Sequence, residues 1–128
     1  MGNTMDSMPN TLLERRRTLE GKKNRHSTSS CFNISCLNGK CFLKLKGDFD
    51  SENIGGISEV IAMRSYHKKY LELDMSEVGT INMRAMARIS ISLKTLKDNG
   101  MYTKITGLDG GIRKIAYELG MHYITQII

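Results

Sequence analysis

The stretch "CFNISCLNGKCFLKLKG", residues 31–47, constrains the fold more than any other part of the chain. Its Asn38-Gly39 dipeptide is the preferred centre of a type I′ turn, which needs positive φ at both central residues. A two-residue turn there sets Cys36 opposite Cys41, Ile34 opposite Leu43 and Phe32 opposite Leu45. All six fall on one face of the ribbon, and Asn33, Ser35, Lys44 and Lys46 fall on the other. Turn chemistry and period-two alternation therefore agree on one antiparallel hairpin with an apolar side.

Beyond the hairpin the pattern switches between periods. "GDFDSEN" breaks the strand, and Asp50 or Ser51 is placed to cap a helix that runs to about Tyr66. Ile54, Ile57, Ile61 and Ala62 or Ser65 form its inward stripe. Gly55 and Gly56 each weaken its first turn by about 1 kcal/mol relative to Ala, so a start after them is also consistent. "KKYLELDMS" alternates Leu71, Leu73 and Met75 as a strand, followed by a short turn. Asn82 is a good N-cap for the next helix, in which Met86, Ile89, Leu93 and Leu96 recur at helical spacing. Gly100 ends that helix at the position for a left-handed cap. "MYTKITG" reads as a strand. "DGGIRKIAYELG" reads as a helix with Ile112, Ile115, Ala116 and Leu119 inward, ended by Gly120, and "MHYITQII" closes with a small strand. Strands that alternate with helices imply parallel crossovers. The expected class is α/β, a mixed sheet of four to five strands covered by three to four helices.

Residues 1–30 lack this patterning and read as a flexible basic tail before a domain over 31–128. The 128-residue chain carries a formal net charge of +6, and residues 1–30 hold six Lys/Arg against three acids. A helix over Thr11 to Glu20 is conceivable, but its apolar face is thin. A solvated tail explains the charge without a nucleic-acid or lipid partner. Three Phe, five Tyr and no Trp give the sequence no basic-plus-aromatic array for nucleic acid. No apolar run reaches membrane-span or signal-peptide length, and Asp6 stands where a myristoylation motif needs Ser or Thr. A transit peptide is disfavoured by the acids in the tail. The expected compartment is the cytoplasm.

The residues that could carry chemistry have simpler readings. Cys31, Cys36 and Cys41 follow His26 at intervals of five, which matches no zinc pattern. Cys36 and Cys41 read as opposed core residues that can form a cross-strand disulfide if oxidised, with free thiols favoured in a cytosolic chain. His67 and His122 lack the local context of a catalytic base. Asp48 and Asp50 read as strand terminator and helix cap. Gly55-Gly56 and Gly110-Gly111 precede no lysine–serine pair, so neither is a phosphate loop. The nine methionines read as adaptable core and surface filler. No catalytic residue, cofactor or metal is expected.

Three motifs in order resemble a known family. "LKGDFD" is similar to a strand ending in Gly-Glu-Leu-Asp, "LELDMSEV" to an Asp-Leu-Ser-x-Val strand and turn, and "GLDGGIRKIAYELGM" to a last helix and its ending. Together they resemble the STAS domain of bacterial anti-sigma factor antagonists over about three quarters of the chain, from Phe32 onward. The resemblance implies a non-catalytic regulator that binds a switch kinase holding a sigma factor, or a signalling scaffold. An accessory STAS subunit of a membrane transport assembly is the alternative it implies.

In such domains the kinase phosphorylates a serine in an Asp-Ser-Ser-Gly motif at the start of the second helix. Aligned without gaps, that motif falls on Asn82, Met83, Arg84 and Ala85, with Met83 at the acceptor and Asp74 and Ser76 keeping the upstream pattern. A thioether has no hydroxyl to accept a phosphoryl group. The resemblance thus implies partner-binding through Asn82, Met83, Arg84, Ala85 and Arg88 without the usual phospho-switch. Arg84 at the positive end of the helix dipole calls for a carboxylate nearby, from a partner or from Glu77. Neither Ser76 nor Thr80 matches the acceptor position. The sequence does not specify an oligomeric state.

Overall fold

The computed structural model describes residues 30–64 and 68–128. The expected tail, its possible helix, His26, Ser65, Tyr66 and His67 lie outside the described residues.

The hairpin forms in the expected register. Strand β1 (Cys31–Leu37) runs antiparallel to β2 (Lys40–Phe49), with Cys36 opposite Cys41, Ile34 opposite Leu43 and Phe32 opposite Leu45. Asn38 and Gly39 have φ of 54° and 80°, as the turn requires. Cys36 and Cys41 are joined in a disulfide, where free thiols were expected. The cross-strand pairing already brings their Cα atoms to 4.1 Å, so the bond needs no further approach of the two strands.

The remaining elements are α1 (Ile54–Arg64), β3 (Tyr70–Ile81), α2 (Met83–Asp98), β4 (Tyr102–Thr106), α3 (Gly110–Glu118), a 3₁₀ turn at Met121–Tyr123 and β5 (Gln126–Ile127). The sheet order is β1-β2-β3-β4-β5, with β2 to β5 mutually parallel. Crossovers between parallel neighbours are right-handed, so stepping always in one direction places α1, α2 and α3 on the same face. Burial follows: Cys41, Leu43 and Leu45 of β2 and Leu71, Leu73 and Met75 of β3 are buried beneath the helices. The helices cover one face rather than both. The other face carries the alternate residues, including the contacting rings of Phe42, Tyr70 and Tyr102.

α1 begins at Ile54, as the Asp50 cap predicts and before its glycines, because an Asp50–Asn53 capping pair starts it: Asp50 Oδ1 accepts from the Asn53 N–H (2.9 Å) and Asn53 Oδ1 from the Asp50 N–H (2.8 Å). Ile54, Ile57 and Ile61 point inward, but Ala62 is exposed. The short turn expected after Met75 is continuous strand, since β3 runs unbroken to Ile81. Its register against β2 slips between Lys44 and Lys46 and again between Gly47 and Asp48. The turn-forming residues Ser76 and Gly79 mark bulges rather than an exit from the sheet. The closing segment spends three of its residues in the 3₁₀ turn, so its strand shrinks to two.

Candidate functional site

The parallel strands β2, β3 and β4 end where α1, α2 and α3 begin. The start of α2 is fastened there from two sides. Asn82 is its N-cap, with extended backbone (φ −85°, ψ 167°) and Oδ1 accepting from the Ala85 N–H at 2.8 Å. The Asn82 N–H donates to the carbonyl of Phe49, the last residue of β2, at 3.2 Å. Two residues earlier, on β3, the Thr80 hydroxyl donates to Asp48 Oδ1 at 3.0 Å. Gly79 makes room for that carboxylate: a Cβ on it would stand 2.6 Å from Asp48 Oδ1. Asp48 and Asp50 thus serve the strand end and the helix cap, as the sequence suggests.

Four of the five residues expected at a partner face are exposed: Asn82, Met83, Arg84 and Arg88. Met83 keeps 48% of its surface in solvent. Ala85 does not belong with them. It is completely buried, because the first turn of α2 rotates it inward beside Met86. The helical period puts one further exposed apolar residue near these positions. Ile91 lies two turns along from Met83 and is 66% exposed, so an apolar pair flanks Arg84 and Arg88. The i, i+8 spacing was the available signal; it was masked by the stronger inward stripe.

Glu77 does not compensate Arg84. It is engaged across the β2–β3 pair, with its carboxylate 2.7 Å from Lys44 Nζ and 4.0 Å from Lys46 Nζ. The hydrogen bond from Lys44 holds the Glu77 carboxyl below its ordinary range, and the same contact raises Lys44. Beside them, the Ser76 N–H donates to Asp74 Oδ1 at 2.9 Å and is the leading cause holding Asp74 below its ordinary value of 3.8. Arg84 and Arg88 form no ion pair among the described residues. Arg88 reaches toward α1, its guanidinium 3.8 Å from where a Cβ on Gly55 would stand. The start of α2 is therefore a cationic, partly apolar surface on a helix N-terminus.

Gly107 holds the neighbouring β4–α3 loop against the same sheet end. Its φ is +78°, and a Cβ on it would stand 2.6 Å from the Ser76 backbone nitrogen. Asp109 then caps α3, accepting from the Ile112 N–H at 2.8 Å. At the other end of the sheet, a shallow cleft of about 350 Å³ is lined by Lys97, Tyr102, His122 and Tyr123 among others. His122 is exposed there and lies against the rings of Tyr117 and Tyr123, with centroids 4.6 and 4.1 Å away. The described residues bring together no group of three or more potential metal ligands. No described helix is long and apolar enough to cross a membrane.

A scan against protein-family models finds no match for the sequence, and a search of curated proteins finds none either. Solved structures do match. The anti-sigma factor antagonist SpoIIAA in its unphosphorylated form superposes with a TM-score of 0.62 at 11% identity, over 77% of this chain and 87% of that one. This protein has the SpoIIAA-like fold. An anti-sigma factor antagonist from Mycobacterium paratuberculosis matches with a TM-score of 0.67 at 12% identity, over 77% of this chain and 85% of its own. The Bacillus cell-fate determinant SpoIIAA in phosphorylated form matches with a TM-score of 0.63 at 11% identity, covering 77% and 91%. At these identities the likeness is one of fold.

Proposed function

We propose that this protein is a non-catalytic regulatory domain of the cytoplasm that binds an anti-sigma factor kinase, or a related signalling scaffold, through the start of α2. The single observation that carries the reading is an exposed, capped helix N-terminus bearing Met83, Arg84 and Arg88 on a SpoIIAA-like fold. SpoIIAA itself is known in phosphorylated and unphosphorylated forms. Here the aligned acceptor is a thioether, so docking persists without that switch. The two arginines, with Glu77 spent on Lys44, favour a partner that brings carboxylates. Methionine and arginine are both enriched at interfaces.

Calorimetric titration with an anti-sigma factor kinase from the same genome tests the reading. Arg84→Glu is expected to weaken binding about tenfold or more, as an introduced like charge does at a complementary interface. Undiminished binding by that variant removes this face as the interface. Incubation with kinase and ATP is expected to leave the protein unmodified and to phosphorylate Met83→Ser; a phosphate on Ser76 or Thr80 of the unmutated protein refutes the loss of the switch.

A further inference from the structure

The two edges of the sheet differ. β5 is two residues long, which protects that edge by brevity. β1 is seven residues long, and "CFNISCL" contains no charge and no proline. Its register against β2 is regular throughout. Charged side chains, proline and bulges are the usual devices that stop an edge strand from recruiting another, and β1 has none of them.

The hairpin geometry settles which backbone groups face outward. A two-residue turn closes on a hydrogen-bonded pair, here Leu37 and Lys40, so alternate residues of β1 take the other kind of site. Phe32 and Ile34 therefore direct their N–H and C=O groups away from β2. Their side chains lie on the helix-covered side, yet Phe32 remains 42% exposed because no described element packs beyond the edge.

We infer that the β1 edge is a self-association surface, on which a second copy of this chain adds its own β1 antiparallel about a two-fold axis at Asn33. In that register Phe32 exchanges backbone hydrogen bonds with Ile34 of the second copy, and the reverse, and the Phe32 ring covers the half-buried Ile34 side chain. Asn33 faces Asn33 of the copy across the axis, and Cys31 faces Ser35. Each contact is apolar on apolar or neutral polar on neutral polar, and the strand–strand pairing is closed by symmetry. The choice of a second copy follows from charge. The chain is basic overall, but β1 itself is neutral, and the two lysines opposite it on the exposed face, Lys44 and Lys46, share Glu77 at 2.7 and 4.0 Å. The strands of two copies can meet here with no like charges directly opposed. A single strand pair falls short of the roughly 1,200–2,000 Å² of a standard interface, so the dimer is a weak one that forms only at high protein concentration. The surface is separate from the start of α2, and the inference stands or falls independently of the proposed partner.

Sedimentation velocity of the full chain over a concentration series tests it. The unmutated protein is expected to rise from the 14.4 kDa monomer mass to twice that value. Asn33→Glu and Asn33→Lys, exposed on the side away from the core, are each expected to weaken dimerisation about tenfold by placing like charges across the axis. Mixing the two variants is expected to restore a dimer, which a folding defect would not do. A monomer mass at every concentration up to ~1 mM overturns the inference. A dimer indifferent to both variants, or growth beyond the dimer, overturns it as well. So does slow amide exchange at Phe32 and Ile34 in a monomeric sample, which assigns the edge to another segment of the same chain.

Discussion

Replacing Gly107 by alanine isolates the contact that holds the β4–α3 loop against the bulge of β3. Gly107 and Gly100 both have left-handed backbone, with φ of +78° and +87°. An alanine at either site costs about 1 kcal/mol for that conformation. The gain from a stiffer unfolded chain is the same for both and cancels in the comparison. The surroundings differ. A Cβ at Gly100 meets nothing within 4 Å, whereas one at Gly107 stands 2.6, 2.7 and 2.8 Å from Ser76 N, Cβ and Cα. Two of those atoms are backbone, so the loop or the strand must move, at a further cost of about 1–3 kcal/mol. Gly107→Ala is therefore expected to lose about 2–4 kcal/mol and Gly100→Ala about 1 kcal/mol. For a domain of this size each kcal/mol lowers Tm by about 4–8 °C, so thermal denaturation followed by circular dichroism separates the variants clearly. Equal losses for the two would refute the reasoning, because the close approach of Gly107 to Ser76 would then contribute nothing.

Three further outcomes are expected. Asn82→Ala removes the acceptor for the Ala85 N–H and is expected to cost about 1 kcal/mol in urea denaturation, with the fold intact. Reducing the Cys36–Cys41 disulfide, or replacing both residues by serine, opens a loop with a sequence separation of five and is expected to cost about 2 kcal/mol. A loss near zero would show that the hairpin holds its register by turn and packing alone. The Asp74 carboxyl is depressed below 3.8, so its contribution is present above that value and is lost as pH falls through the lower folded pKa. Asp74→Asn is expected to flatten the stability profile in that acid range, and an unchanged slope would show that the contact with the Ser76 N–H is not made in solution.

Much of the fold was legible because it is local. Asn38-Gly39 specifies its own turn, and two residues of loop leave one register that buries Cys41, Leu43 and Leu45 together. Asn82 announces a helix by the same short-range chemistry, since the cap and the N–H it serves are three residues apart. The misreadings arise where distance along the chain is large. "SEVGT" looks like a turn in isolation, yet pairing with β2 stretches it into bulged strand. Ala85 follows three exposed residues in sequence, but the packing of α2 onto the sheet rotates it inward.

From its own residues the chain determined the hairpin register, the caps, the inward stripes and the absence of a hydroxyl at Met83, because each depends on covalent identity or on contacts within a few positions. Only the tertiary structure decided that all three helices lie on one face and that Glu77 is committed to Lys44. It alone left Arg84 and Arg88 without an ion-pair partner among the described residues and β1 at an uncharged edge. Those facts depend on which strands become neighbours, and strand order is settled by crossover handedness and by burial summed over the whole domain, which no short window of sequence contains.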